Sequence, residues 1–156
     1  MLLTDILTPS RVRLDIPADD KREAIAHLVD LLDAEGVLSD RDLALQAVLA
    51  REETRSTGIG AGLAVPHGKC AAVSELVMAM GRTRSPLQYG SPDNQPVSLI
   101  ALLLSPPDKT GPHIQLLARI SRLLSTESLR SRLLGAQTPE EFYHLLEEYQ
   151  GRHVAS

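Results

Sequence analysis

The stretch VSLIALLL, residues 97–104, is apolar at seven of its eight positions and is followed by Pro106-Pro107. Such a run predicts a central β-strand with both faces covered, because a strand with one solvent-exposed face would alternate apolar and polar residues. Two shorter apolar runs, residues 63–65 and 76–80, are bounded by turn-forming residues and predict further strands, and residues 12–14 are another candidate. The middle of the chain is therefore expected to form a sheet.

Helical spacing flanks this region on both sides. On the N-terminal side, Asp20 and Glu23 have capping-box spacing, apolar residues then recur at helical intervals, and Gly36 ends the run. Ser39 and Asp42 begin a second predicted helix, which runs to about residue 53.

On the C-terminal side, Pro112 fits the first turn of a third helix. Its predicted buried stripe comprises Ile114, Leu116, Leu117, Ile120, Leu123 and Leu124. A shorter helix is predicted over residues 127–134, and Thr138-Pro139-Glu140-Glu141 begins the last, whose inner face holds Phe142, Leu145, Leu146 and Tyr149. Helices at both ends and strands in the middle predict an α/β fold with a mixed sheet between helical layers.

Composition narrows the class of protein. The 156 residues fit one domain spanning residues 1–156, and with 3% aromatic residues its core must be built from Leu, Ile, Val and Ala. The net charge of −4 and the scattered basic residues give no support to nucleic-acid binding. The single cysteine, Cys70, excludes an internal disulfide and favours a reducing compartment. Asp5 comes too early for a secretory signal and residues 97–104 are too short to span a membrane, so we expect a cytoplasmic protein.

One segment has the composition of a functional loop: STGIGAGLAVPHGK, residues 56–69. Its three alternating glycines permit close backbone approach, so backbone amides here could point into a shared pocket. Pro66 and Gly68 then hold His67 on a stiff turn at a strand end, which suits a histidine that reacts with an incoming group. The glycine spacing matches neither the dinucleotide fingerprint nor a Walker loop. From these residues alone, a structural turn with an exposed histidine is the more common case, and a functional site is the alternative.

The same segment resembles the active-site signature of the mannitol/fructose-type enzyme IIA family of the bacterial phosphotransferase system (PTS). The resemblance covers nearly the whole chain, in Arg51-Glu52, Ser56–Gly60, Leu63–Lys69, Asp93–Val97, Pro112–Ile114 and Thr138–Glu141. Two of these segments, STGIG and DNQPV, are most similar to the nitrogen-regulatory branch, a stand-alone IIA. Gln115 departs from that branch, many of whose members carry a histidine at this position, and instead resembles mannitol-type domains.

The resemblance implies a three-layer α/β/α sandwich and assigns roles to particular residues. His67 is the implied phosphoryl acceptor through Nε2, with its Nδ1–H bonded back to the protein. His113 is the implied second active-site histidine, which contacts the phosphoryl group or orients His67, and Arg51 is the implied cation of the phosphate pocket. Ser56 and Thr57 are candidate hydroxyl or backbone donors to phosphate. No cofactor and no metal are implied.

Each role has a structural alternative. A histidine near a helix start can simply satisfy a buried carbonyl, and Arg51 at the end of the second helix can pair with the helix dipole. A metal site on His67 and His113 is the weakest alternative, because no carboxylate or cysteine has ligand-like spacing to either. His27, His144 and His153 are assigned no role, and Cys70 is expected to be a small packed residue.

The resemblance implies a phosphoryl-carrier function. In the nitrogen-regulatory branch, an HPr-like donor (NPr) phosphorylates the histidine, and the phosphorylation state tunes binding to other proteins, including potassium-transport components. In the sugar-specific branch, a fructose or mannitol IIA passes the group to a IIB partner. A third possibility, of another class, is a binding module that has lost phosphotransfer.

Overall fold

The computed structural model describes residues 1–155, with the side chains of residues 1–151, so the His153 side chain lies outside the described part. After two short 3-10 turns, its helices are α1 (Lys21–Ala34), α2 (Arg41–Thr54), α3 (Thr110–Leu124), α4 (Glu127–Gly135) and α5 (Pro139–Ala155). Its strands are β1 (Val12–Ile16), β2 (Gly58–Gly60), β3 (Leu63–Ala64), β4 (His67–Lys69), β5 (Val77–Leu87) and β6 (Val97–Ser105).

The described strands form one mixed sheet with the order β1-β5-β6-β3-β2. Strand β6 pairs antiparallel with β5 along one edge and parallel with β3 and then β4 along the other. Successive β6 residues pack into opposite cores: Leu99, Ala101 and Leu103 face one side, and Ile100, Leu102 and Leu104 face the other. The prediction of a central strand buried on both faces is therefore confirmed.

Two apolar cores separate the sheet from its helical layers. Helices α1 and α2 cover one face, and α3, α4 and α5 cover the other together with the N-terminal turns. The inner face predicted for α5 is buried as expected, at Phe142, Leu145, Leu146 and Tyr149. This arrangement confirms the α/β/α sandwich. Within the described residues, no helix combines the length and apolar character needed to cross a membrane.

Side-chain caps fix where the helices begin. Asp20 accepts a hydrogen bond from the Glu23 amide at 2.9 Å, which confirms the predicted start of α1. The predicted start of α2 at Ser39 and Asp42 is wrong by one residue, because Asp40 caps the helix through the Leu43 amide at 3.0 Å. The hydroxyl of Ser39 instead donates to the Ala72 carbonyl.

Three strands differ from the sequence-based expectation. Strand β5 extends to Leu87, well beyond the predicted residue 80, because β6 and β1 supply partners on both sides. Strands β2 and β4 were not predicted as strands, because three-residue segments carry too little periodicity to be recognised. The predicted Pro-His-Gly turn is therefore a short strand, and His67 lies in it.

Candidate active site

His67 is the first residue of β4, where it pairs in parallel register with Leu103 of β6. The Pro66 carbonyl accepts the Leu103 amide at 3.1 Å, which anchors the backbone directly before the histidine. The ring nitrogen Nδ1 lies 2.8 Å from the Val65 carbonyl. Because a carbonyl only accepts hydrogen bonds, Nδ1 must carry the proton and Nε2 keeps its lone pair.

The protonation state of His67 also suits a nucleophile. Burial is the largest effect and lowers its pKa below the ordinary histidine value. The Val65 bond raises this pKa in part, the charge of Arg51 lowers it, and Glu52 raises it least. The imidazole is therefore neutral near pH 7, with one proton held at Nδ1.

His113 lies beside His67. It occupies the first turns of α3 and is buried. The two ring centroids are 5.4 Å apart, with the ring planes inclined at 57°. The His113 Nδ1 atom lies 2.6 Å from the Ser105 hydroxyl, so its partner is a side chain and not the buried carbonyl of the structural alternative. Burial, together with the charges of His67 and Lys69, lowers the pKa of His113 to about 4.

The prediction that Ile114, next to His113, belongs to the buried stripe of α3 is wrong. The Ile114 side chain is 61% exposed, whereas the buried face of the helix is formed by His113, Leu116, Ile120, Leu123 and Leu124. The stripe is narrower than predicted because Ile114 lies on the solvent side of the first turns of α3.

Arg51 reaches the site from the last turn of α2. The Gly68 backbone packs directly on this helix, since a Cβ added at Gly68 would lie 3.2 Å from backbone atoms of Ala47 and Val48. Arg51 is one helical turn further along and so projects beside β4. Its Nη1 atom donates to the Arg55 carbonyl at 3.0 Å and to the Thr54 hydroxyl at 3.3 Å. It therefore also caps the helix end, as the structural alternative for this residue predicted.

These side chains line a cleft of about 430 Å³ between the end of α2 and the face of α3. Arg51, Ser56, Thr57 and His67 all contribute to its walls, so the structure brings four of the five predicted site residues into one cleft, and His113 lies against His67. The remaining lining residues are Arg55, Gly58, Ile59, Val65, Pro92, Leu117 and Ser121.

The hydroxyls of Ser56 and Thr57 are already engaged within the protein. Ser56 donates to the Tyr89 carbonyl at 2.9 Å. Thr57 donates its hydroxyl to Glu52 at 2.5 Å and its amide to the same carboxylate at 3.0 Å. These bonds shape the cleft wall and leave little donor capacity for a ligand.

The glycine-rich loop acts chiefly as a hairpin between β2 and β3. The expectation that its amides point into a shared pocket is wrong for two of them. The Ala61 amide donates to Asp93 at 2.9 Å, and the Gly58 amide donates to the Ser56 hydroxyl at 3.2 Å. Amides of Ala61 and Gln95 lower the pKa of the Asp93 carboxyl, which ties the hairpin to the loop before β6.

Three residues near the site were given no role in the sequence-based prediction. Glu52 is buried and pairs with Lys21 at 3.1 Å, and it holds Thr57 in place. Arg55 adds a second guanidinium to the cleft. Ser105 closes β6 as a polar residue directly after the apolar run, which is the one signal that could have identified it.

The site can therefore present a neutral imidazole nitrogen to an electrophile in a cleft that contains two cations. A second neutral imidazole next to it can donate or accept a hydrogen bond. This combination suits attack on a phosphorus centre whose peripheral oxygens carry negative charge.

Comparison with known proteins agrees with the resemblance found in the sequence. Residues 5–149 match the family "Phosphoenolpyruvate-dependent sugar phosphotransferase system, EIIA 2". The chain is 34% identical over 149 residues to the PTS system fructose-specific EIIABC component of Bacillus subtilis, covering 96% of this chain and 24% of that protein. It is 36% identical over 151 residues to the PTS system fructose-specific EIIA component of Haloferax volcanii, covering 95% of this chain and 98% of that protein.

Among solved structures, the nitrogen regulatory protein IIA-Ntr from Neisseria meningitidis has the same fold. It superposes with a TM-score of 0.84 at 35% sequence identity, covering 91% of this chain and 97% of that chain. The chain thus spans about a quarter of the Bacillus subtilis relative and nearly all of the other two.

Proposed function

This chain belongs to the EIIA 2 family of the phosphoenolpyruvate-dependent sugar phosphotransferase system, and from that premise we propose that it carries a phosphoryl group on Nε2 of His67. The proton arrangement of His67 is the observation that supports this role most directly. Its Nδ1–H is bonded to the Val65 carbonyl, so the nitrogen left free is the one that can attack.

In the proposed step, the Nε2 lone pair attacks the phosphorus of a phosphohistidine on the donor protein. The new N–P bond forms as the donor's N–P bond breaks, and the electron pair of the broken bond returns to the donor imidazole. Arg51 serves the transferring group as a planar cation, and His113 contacts its oxygens. Ser56 and Thr57 contribute by shaping the wall of the cleft.

The donor we propose is an HPr-like carrier (NPr), and the output we propose is regulatory, through a phosphorylation state that changes binding to other proteins such as potassium-transport components. The whole chain, residues 1–156, acts as one phosphotransfer domain in the cytoplasm. The 35% identity to a nitrogen regulatory protein over 91% of this chain supports this branch.

A second candidate is a sugar-specific IIA that hands the group to a IIB partner. The 36% identity to a fructose-specific EIIA component, over 98% of that protein, favours it. The two candidates separate in one assay, because the phosphorylated chain should lose its label to a fructose-type IIB protein only in the sugar-specific case.

The carrier proposal is tested by incubating the purified chain with phosphoenolpyruvate, enzyme I and an HPr-type carrier. We expect one phosphoryl group per chain, acid-labile and base-stable, assigned to His67 by tandem mass spectrometry. His67→Ala should abolish phosphoryl uptake and leave the fold intact. His144→Ala, at an exposed position of α5, should take up the phosphoryl group as fully as the wild type. Full uptake by His67→Ala would contradict the acceptor assignment, and no uptake by the wild type would favour a binding module without phosphotransfer.

A further inference from the structure

Ser105 carries a buried hydroxyl that has no role in the phosphoryl transfer proposed above. It is the last residue of β6, its side chain is 0% exposed, and its backbone carbonyl accepts the Cys70 amide at 2.9 Å. Its hydroxyl lies 2.6 Å from Nδ1 of His113. Within residues 1–151, whose side chains are described, the hydroxyl contacts no other hydrogen-bonding partner.

The direction of this hydrogen bond follows from the burial of both groups. If Nδ1–H donated to the serine, the serine proton would be left buried without an acceptor, at a cost of about 1–3 kcal/mol. If the serine donates to Nδ1, the serine proton and the Nδ1 lone pair are both satisfied. The second arrangement is favoured, and since the neutral ring carries one proton, that proton must be on Nε2.

The Nε2 atom of His113 is available for a ligand. Its ring packs against that of His67, and no acceptor in the described part of the chain bonds to Nε2. The two rings then have opposite tautomers. His67 holds its proton at Nδ1 and offers a lone pair at Nε2, whereas His113 accepts at Nδ1 and offers an N–H at Nε2.

We propose that Ser105 is a positioning residue that fixes His113 as the Nε2–H tautomer, so that His113 donates a hydrogen bond to the phosphoryl oxygens carried by His67. This inference rests on the proposed phosphoryl-carrier function. An opposite tautomer would aim a lone pair at the phosphoryl oxygens and repel them.

The test measures the tautomer and the transfer rate in the same variants. In wild-type chain labelled with ¹⁵N at histidine, we expect a pyridine-like Nδ1 and a pyrrole-like Nε2 for His113 near neutral pH. Ser105→Ala should give averaged signals from two tautomers and slow phosphorylation by about tenfold, the low end of the effect of removing a partner that orients a functional histidine. Ser105→Thr, which keeps the hydroxyl, should restore both readouts.

Ser98→Ala is the matched control, because Ser98 lies on the same strand, near its other end. It should change neither the His113 signals nor the rate. A pyrrole-like Nδ1 in the wild type would overturn the proposal even if Ser105→Ala fails to fold. So would a slower Ser105→Ala with an unchanged tautomer, or a changed tautomer with an unchanged rate.

Failure of the proposed carrier function and failure of the proposed Ser105 role give different results in these experiments. If the wild type takes no phosphoryl group on His67, the proposed function is wrong, and the donor role of His113 falls with it. If the wild type is labelled on His67 but its His113 carries the proton at Nδ1, only the role of Ser105 is wrong.

Discussion

At the scale of single residues, two neighbouring imidazoles are kept neutral by burial. Desolvation makes the largest contribution to the lowered pKa of both His67 and His113. For His113, the Ser105 bond and the neighbouring ring leave no carboxylate in contact to stabilise an imidazolium. A neutral His67 is what the proposed phosphoryl transfer requires, because a protonated ring would have no lone pair to attack with.

The buried state of His113 should make stability depend on pH. Its pKa is about 4 in the folded protein and about 6.5 in the unfolded chain, so between these values the unfolded chain binds more protons. The free energy of unfolding should therefore fall as the pH is lowered from about 7 toward 4, by roughly 1–3 kcal/mol from this group. Urea unfolding of the wild type and of His113→Gln, at neutral and mildly acidic pH, measures the difference.

The variant His113→Gln removes the titrating ring and should lose less stability on acidification than the wild type. His144→Gln, at an exposed position of α5, is the control for replacing a histidine outside the site. Equal losses in the wild type and His113→Gln would show that His113 titrates alike in both states.

At the scale of elements, the contact between β4 and α2 sets the position of the site. Gly68 allows the strand to lie on the helix backbone, which brings His67 beside the last turn of α2 and hence beside Arg51. The proximity of His67 and Arg51 therefore depends on Gly68 having no side chain.

Gly68→Ala should disturb this contact. Its Cβ would lie 3.2 Å from backbone atoms of Ala47 and Val48, which cannot move as a flexible side chain would. We expect a loss of about 1–3 kcal/mol in unfolding free energy, together with slower phosphorylation of His67. Gly135→Ala, at the end of α4 with open space around it, should change stability by less than about 1 kcal/mol and leave the rate unchanged. Wild-type behaviour of Gly68→Ala would mean that the contact does not set the site.

The elements also show what the sequence could and could not reveal. Long segments such as α1, α5 and β6 were predictable. Apolar residues recur at the helical period in the two helices, and β6 is apolar at almost every position. His67, His113 and Arg51 were identified through a motif resemblance. Ser105 was not, because its contact with His113 joins the end of β6 to the first turns of α3 only in the folded chain. Likewise, Glu52 binds Thr57 and also forms a long-range ion pair with Lys21, which no local pattern encodes.

At the scale of the whole molecule, charge and apolar surface are distributed unevenly. The chain carries 20 acidic and 16 basic residues, yet its cleft is lined by two arginines and no exposed carboxylate. A local positive field in a net-acidic protein favours the approach of a phosphoryl group. Beside this cleft lie exposed apolar side chains, with Ile59 on its wall and Ile114 next to His113.

Ile114 should therefore contribute to docking of the donor protein and not to the chemistry. Its side chain is 61% exposed one turn before Leu117, which lines the cleft, so a partner that reaches His67 must cover it. Ile114→Ser should lower kcat/KM for the phosphorylated HPr-type carrier by about tenfold, mainly through a higher KM, because the lost contact is made before and during transfer alike. Leu134→Ser is the matched control: Leu134 is 47% exposed, but it lies near Ser98 and Leu99, at the opposite end of β6 from the site. Initial rates over a range of carrier concentrations would separate the two variants, and a fall in kcat at unchanged KM for Ile114→Ser would instead place this residue in the transfer step.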